Sequence, residues 1–65
     1  MISVTKREAD VIKLLTEGKT NLEISRILFI SVHTVKAILE KIYDKTNCRN
    51  RVQVAIWAFK NNIMN

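Results

Sequence analysis

The stretch TNLEISRILFISVHTVK, residues 20–36, decides the fold. It opens on Thr20-Asn-Leu-Glu23, the pattern of a capping box. In that pattern the Thr hydroxyl takes the amide three residues on, and the Glu carboxylate reaches back to the Thr amide. Ile24, Ile27 and Leu28 then recur at helical spacing and are expected to face inward, on a short helix over about residues 21–28. Ser31 is the next N-cap signal, so Phe29 and Ile30 alone connect this helix to its successor. Two helices joined so tightly must cross steeply, as in a helix-turn-helix.

The pattern extends in both directions. The helix after Ser31 is expected over residues 32–46 and has two distinct faces. At about 100° per residue, Val35, Ile38, Leu39, Ile42, Tyr43 and Thr46 share one side. His33, Ala37, Glu40 and Asp44 lie opposite, with Lys36 and Lys41 at the margins. Upstream, Thr5-Lys-Arg-Glu8 is another capping box, with Val4 and Ala9 placed for a hydrophobic staple. The helix it opens, about residues 6–17, buries Val11, Ile12, Leu14 and Leu15 and ends at Gly18, which is free to take positive φ. Downstream, Asn47 to Arg49 break the pattern and Asn50-Arg-Val-Gln53 resembles a third capping box, opening a helix over about residues 51–62. Its apolar residues, Val52, Val54, Ala55, Ile56, Ala58, Phe59 and Ile63, cover roughly 200° of the wheel, with Trp57 outside even that arc. One core-facing side needs little more than half of this, so the surplus points to a partner chain.

Composition narrows the class. The fold reads as all-α, four compact helices in a single domain over residues 1–65, either standing alone or cut from a longer protein. A chain this short buries only roughly 60% of the surface its unfolded form exposes and usually needs a disulfide, a metal or a partner. Cys48 is the only cysteine and His33 the only histidine, which leaves no internal disulfide and no structural zinc set. The net charge of +5 is unevenly placed: residues 1–23 balance, whereas Arg26, Lys36, Lys41, Lys45, Arg49 and Arg51 outnumber Glu40 and Asp44 over residues 24–51. Such a bias suits a polyanion-facing surface, or else an ordinary solvated face. No run approaches the roughly 18 apolar residues of a membrane span, and the start Met1-Ile-Ser-Val-Thr-Lys6 has no export pattern. With a lone thiol, these features lead us to expect a cytoplasmic, nucleoid-associated protein. No nucleophile-base pair, carboxylate dyad or glycine-rich phosphate loop is present, so neither an enzyme nor a cofactor or small-molecule site is expected.

In order and spacing, Val4-Thr5-Lys6-Arg7-Glu8, Glu17-Gly18-Lys19-Thr20-Asn21-Leu22-Glu23-Ile24-Ser25 and Leu28-Phe29-Ile30-Ser31-Val32-His33-Thr34-Val35-Lys36 resemble the LuxR/GerE-type helix-turn-helix domain. Asn50-Arg51-Val52-Gln53 and the apolar last helix fit as well, so the likeness runs from about Val4 to Ile63. The resemblance implies the DNA-binding output module of a bacterial transcription regulator, with the third helix as recognition helix. By position it implies Lys36 and Ala37 at base edges, with Glu40 one turn further along. It puts Thr34, Lys41, Lys45 and Arg49 at or beside phosphate, and Val52 and Ile56 in a two-fold dimer contact. Ile38 stands where the family often has histidine, Thr46 where it often has leucine, and Glu40 is acidic where a polar or basic residue is common.

Chemistry at these positions gives each side chain two readings. Lys36 can donate to guanine O6 and N7 or touch only phosphate. Ala37 offers a methyl to thymine or simply leaves room for the helix to approach. Glu40 can accept from cytosine N4 or pair with Lys36 or Lys41 along the helix. His33 completes the groove-facing set, at a base edge or beside phosphate. Ser31 and Thr34 suit phosphate at a helix N-terminus while also capping it. Arg49 suits phosphate; Arg51 either does the same or bonds a neighbouring carbonyl or carboxylate. Arg26 is expected in solvent, Cys48 as a buried or half-buried filler, and Phe59 beside Val52 and Ile56 in the partner-facing surplus. The expected function is therefore a homodimeric regulator of a pseudo-palindromic duplex site. The alternatives are an antagonist that pairs with another regulator through its last helix, and a sigma-factor region 4-like module, which has little need for that helix.

Overall fold

The computed structural model describes residues 3–63 and contains four helices: α1, Lys6–Thr16; α2, Asn21–Leu28; α3, Val32–Thr46; α4, Arg51–Lys60. Residues 1–2 and 64–65, part of the domain expected over 1–65, lie outside the described residues. Both threonine capping boxes form reciprocally. Thr5 Oγ1 accepts from the Glu8 amide at 3.1 Å and Glu8 Oε1 from the Thr5 amide at 3.0 Å; Thr20 and Glu23 repeat this at 3.1 and 2.8 Å. The third box is only half formed. Asn50 Oδ1 accepts from the Gln53 amide at 2.9 Å, but Gln53 Oε1 accepts from the Arg49 amide at 2.7 Å instead of the Asn50 amide. The Gln side chain reaches one residue further back and ties down the loop ahead of α4.

Helix exits depend on left-handed residues. After α1, Gly18 at φ 85° donates to the Leu15 carbonyl, and Lys19 to the Leu14 carbonyl, which is a Schellman closure. Glu17 is the cap, so α1 stops at Thr16, one residue short of the expected end. Asn47 at φ 57° closes α3. Phe29 at φ 58° closes α2, with its amide and that of Ile30 both directed to the Ser25 carbonyl. Glycine and asparagine are the usual occupants of this conformation, whereas phenylalanine suffers a clash of Cβ with the backbone there. α4 ends at Lys60 instead of residue 62, because residues 61–63 form a turn with Asn62 at positive φ.

One core gathers Val11, Ile12 and Leu15 of α1, Ile24 of α2, Val35, Leu39 and Ile42 of α3, and Val54 and Ala58 of α4. Each fully buried Val, Ile or Leu contributes about 1.5–3 kcal/mol relative to exposure, so these few side chains carry most of the stabilisation. Leu14, Ile38, Tyr43, Cys48 and Trp57 are half-buried around it; Trp57, outside the apolar arc of α4, still packs on the core edge. Ile27, expected inward, is 46% exposed. An eight-residue helix turns only one narrow face inward, and Ile24 and the buried Ser25 occupy it. Ser25 Oγ donates to the Leu22 carbonyl and Thr46 Oγ1 to that of Ile42, both at 2.7 Å, and among the described residues no buried side-chain N or O lacks a partner. Among the same residues no helix is long and apolar enough to cross a membrane.

Phe29 is 93% exposed, so its ring returns almost no burial for the strained backbone beneath it. We expect Phe29→Gly to raise unfolding stability by about 0.5–1 kcal/mol, the relief of a left-handed residue less the added chain entropy of glycine. Urea denaturation followed by circular dichroism measures it; a loss of stability would mean that the ring is needed for folding.

Candidate nucleic-acid interface

The α2–α3 reversal sets the interface. Ser31, extended at φ −75° and ψ 157°, caps α3 by accepting from the Thr34 amide at 3.0 Å, and the two hydroxyls lie 2.9 Å apart. Both side chains are exposed at the positive end of the helix dipole, where the remaining first-turn amides have no intrahelical acceptors. From this start α3 turns Val35, Leu39, Ile42 and Thr46 into the core. The opposite face carries His33, Lys36, Ala37, Glu40, Lys41 and Asp44, every one exposed. The groove-facing set expected from sequence thus falls on one continuous surface, beginning at Ser31 and Thr34.

The charges on this surface are not paired along the helix. Among the described residues the ion pairs are Lys6–Asp10 and Lys45–Glu8. Glu40 bonds neither Lys36 nor Lys41, so its carboxylate is available on the outward face beside the two lysines. Cations therefore lie at the margins of the face, with Glu40 and Asp44 towards its C-terminal half.

Two residues expected at phosphate have their cationic heads committed elsewhere. Lys45 Nζ bonds Glu8 Oε1 at 2.8 Å and the Ser3 carbonyl at 3.1 Å, tying the end of α3 to the start of α1. Arg51 donates through one terminal nitrogen to Asn21 Oδ1 at 2.7 Å and through the other to the Lys19 carbonyl at 2.6 Å, so the structural bond left open by the sequence is the one present. Arg49 is exposed at the α3–α4 junction, and its guanidinium stands clear of these networks. On α4, Val52, Ile56 and Phe59 are 68, 50 and 72% exposed, on the side opposite Val54 and Ala58. This is a second apolar stripe left uncovered by the described residues. Two structural partners, Glu8 for Lys45 and Asn21 for Arg51, have no local signal, since each pair is joined only by the fold.

Glu8 is buried. The Lys45 ammonium, hydrogen-bonded to it, holds its carboxyl below the usual carboxylate range against the opposing effect of burial, with further help from the Thr5 amide. The exposed Glu23 is lowered by its Thr20 cap.

Comparison with known proteins gives one consistent result. The family model for bacterial regulatory proteins of the luxR family, GerE, matches residues 3–58. The chain is 43% identical over 63 residues to the transcriptional regulatory protein LiaR of Bacillus subtilis (strain 168), covering 97% of this chain and 30% of LiaR. It is 41% identical over 58 residues to the CsgBAC operon transcriptional regulatory protein of Escherichia coli (strain K12), covering 89% of this chain and 27% of that protein. A solved Vibrio cholerae VqmA structure, of a dimer without target DNA described among LuxR-type receptors, superposes with a TM-score of 0.91 at 28% identity. That match covers 97% of this chain and 28% of VqmA. The chain therefore spans about three-tenths of the length of these relatives.

The lowered Glu8 carboxyl predicts an acid-labile fold. A depressed folded pKa adds stability that is complete above the ordinary glutamate range and is lost as pH falls through the folded value. The thermal midpoint should therefore decline on acidification below that range, and Glu8→Gln should flatten the decline more than Glu23→Gln does. Melting curves between neutral pH and strong acid test this; equal slopes in wild type and Glu8→Gln would refute it.

Proposed function

The chain belongs to the luxR family of bacterial regulatory proteins and is a DNA-binding transcription-regulator domain; from that premise we propose that it reads a specific duplex site as a homodimer. The α3 helix enters the major groove N-terminal end first. His33, Lys36, Ala37 and Glu40 meet base edges, while Ser31, Thr34, Lys41 and Arg49 meet phosphate. Lys45 and Arg51 stay close to the DNA but act through Glu8 and through Asn21 and Lys19 respectively. The α4 stripe of Val52, Ile56 and Phe59 pairs with its two-fold mate, which sets two α3 helices about one DNA turn apart on a pseudo-palindromic site. The protein works in the cytoplasm on the nucleoid, and residues 1–65 act as one domain.

The observation that carries this reading is the division of α3 into a fully packed side and a bare side whose margins are basic. Any surface helix leaves one side bare; what supports a DNA-facing role is that this bare side starts at the exposed Ser31 and Thr34 hydroxyls and carries Lys36 and Lys41 outside the ion pairs of the described residues. Lysine at the first outward turn can reach guanine O6 and N7, the commonest specific contact. Glu40, free of its neighbours, is placed to accept from a cytosine N4 and to repel other bases and phosphate, which gives specificity by exclusion. A family name alone settles neither role, because contact residues vary with the site read.

Lys36→Ala is expected to weaken binding to the preferred duplex by about 1–3 kcal/mol, roughly 5-fold to 150-fold, and to relax preference at one base pair per half-site. Titration against a panel of single-base variants at several salt concentrations is the measurement. Uniform weakening on every sequence, with a salt slope shallower by about one counterion per lost contact, would make Lys36 a phosphate contact instead.

A further inference from the structure

α4 has two apolar sides. Val54 and Ala58 enter the core, and Val52, Ile56 and Phe59 face out. Burial is non-directional, so hydrophobic contact alone only weakly selects which side of such a helix turns inward. Apart from Trp57, which packs at the core edge, the residues buried from α4, Val54 and Ala58, are smaller than Ile56 and Phe59 on the exposed side, which makes a rotated packing a real competitor. Something directional must set the azimuth of α4.

Arg51 is the residue placed to do so. It is the first residue of α4 and lies beside the inward stripe. It is half-buried, and its planar head makes two bonds at 2.7 and 2.6 Å to acceptors from a different part of the fold, Asn21 Oδ1 and the Lys19 carbonyl. These acceptors stand at the start of α2. Among the described residues α4 packs on α1 and α3, and its backbone nowhere approaches that of α2. The Arg51 fork is therefore a side-chain bridge between two elements whose backbones do not approach each other. A guanidinium held by two acceptors resists rotation in a way that a single point charge cannot. Asn50 and Gln53 lock the same first turn through their bonds to the Gln53 and Arg49 amides.

We propose that Arg51 is a positioning residue, which fixes the rotation of α4 against the α2–α3 pair and so keeps the Val52, Ile56 and Phe59 stripe outward in one register with the recognition helix. The inference rests on the proposed α4 dimer for its consequence, though not for the bridge itself. In the dimer, this one register holds the two α3 helices at a single separation, whichever bases they read.

Pulsed electron spin resonance on the full chain separates the two levels. All samples carry Cys48→Ser, so that labels attach only at introduced cysteines. Labels at Leu22→Cys and Lys60→Cys, diluted with unlabelled chain, read the α2 to α4 distance within one molecule. We expect one narrow distance with Arg51, and its loss in Arg51→Ala and Arg51→Lys at retained helical content. Asn21→Ala, which leaves the Arg51 charge in place, should broaden it as well. A distance unchanged in all three variants overturns the proposal. A label at Ala37→Cys then reads the separation between protomers. One narrow distance that broadens in Arg51→Lys supports transmission to the dimer. A narrow intramolecular distance with no inter-protomer distance, as expected of a Val52→Asp, Ile56→Asp control, would refute the α4 dimer and its consequence while leaving the bridge standing.

Discussion

α2 stops at Leu28 and α3 begins at Val32, and the three residues between them set the direction of the recognition helix and with it the rest of the fold. Phe29 reverses the chain in the left-handed region, Ile30 donates back to the Ser25 carbonyl and Ser31 caps the next helix. With so short a connection α3 has little freedom of direction. It lies across α2 and α1 with Val35, Leu39 and Ile42 inward, which necessarily turns His33, Lys36, Ala37 and Glu40 out. The outward face is thus a by-product of the packing that stabilises the domain, and its side chains can vary with little cost to the fold. Phe29 is the exception at this reversal: its backbone is strained and its ring unburied, so the turn is held by the amides of Phe29 and Ile30 on the Ser25 carbonyl and not by the Phe29 side chain.

A small core leaves orientation to directional bonds. The apolar cluster supplies the gross stability but tolerates rotation of its helices, most of all for α4 with its two apolar sides. Lys45 with Glu8 ties the end of α3 to the start of α1, and Arg51 with Asn21 and Lys19 ties α4 to the start of α2. Glu8 combines two tasks, closing the Thr5 capping box and receiving Lys45 with the same oxygen. Two of the six basic residues between 24 and 51 therefore serve the architecture, and the basic bias of that segment overstates the charge free to meet DNA.

Local signals are legible in the sequence, and long-range ones are not. The starts of α1 to α4 follow from Thr5, Thr20, Ser31 and Asn50, because a cap acts within three or four residues. The split of α3 into two faces follows from periodicity, and the family resemblance follows from several motifs in order. Ends follow less closely: Gly18 does stop α1 at positive φ as expected, but the helix itself ends at Thr16 with Glu17 as cap. Ile27 has the spacing of a core residue, yet which positions of a short helix are covered depends on the crossing angle, a tertiary property. Asn50-Arg-Val-Gln53 has the spacing of a box, but Gln53 has a choice of amides and takes that of Arg49. The partners of Lys45 and Arg51 lie 37 and 30 residues away, where no pattern in a single sequence can join them. For the same reason the sequence leaves Arg51 open between phosphate and a structural bond.

In the proposed function, the bare face of α3 reads bases and α4 pairs two such faces by a two-fold axis. Selection of bound molecules from a random duplex pool by the full chain tests both parts at once. The predicted result is enrichment of two inverted half-sites centred about one helical turn apart. Enrichment of a single half-site would contradict the dimer, and recovery of a pool with no enriched sequence would contradict base reading by α3 and favour a domain that acts by pairing with another regulator.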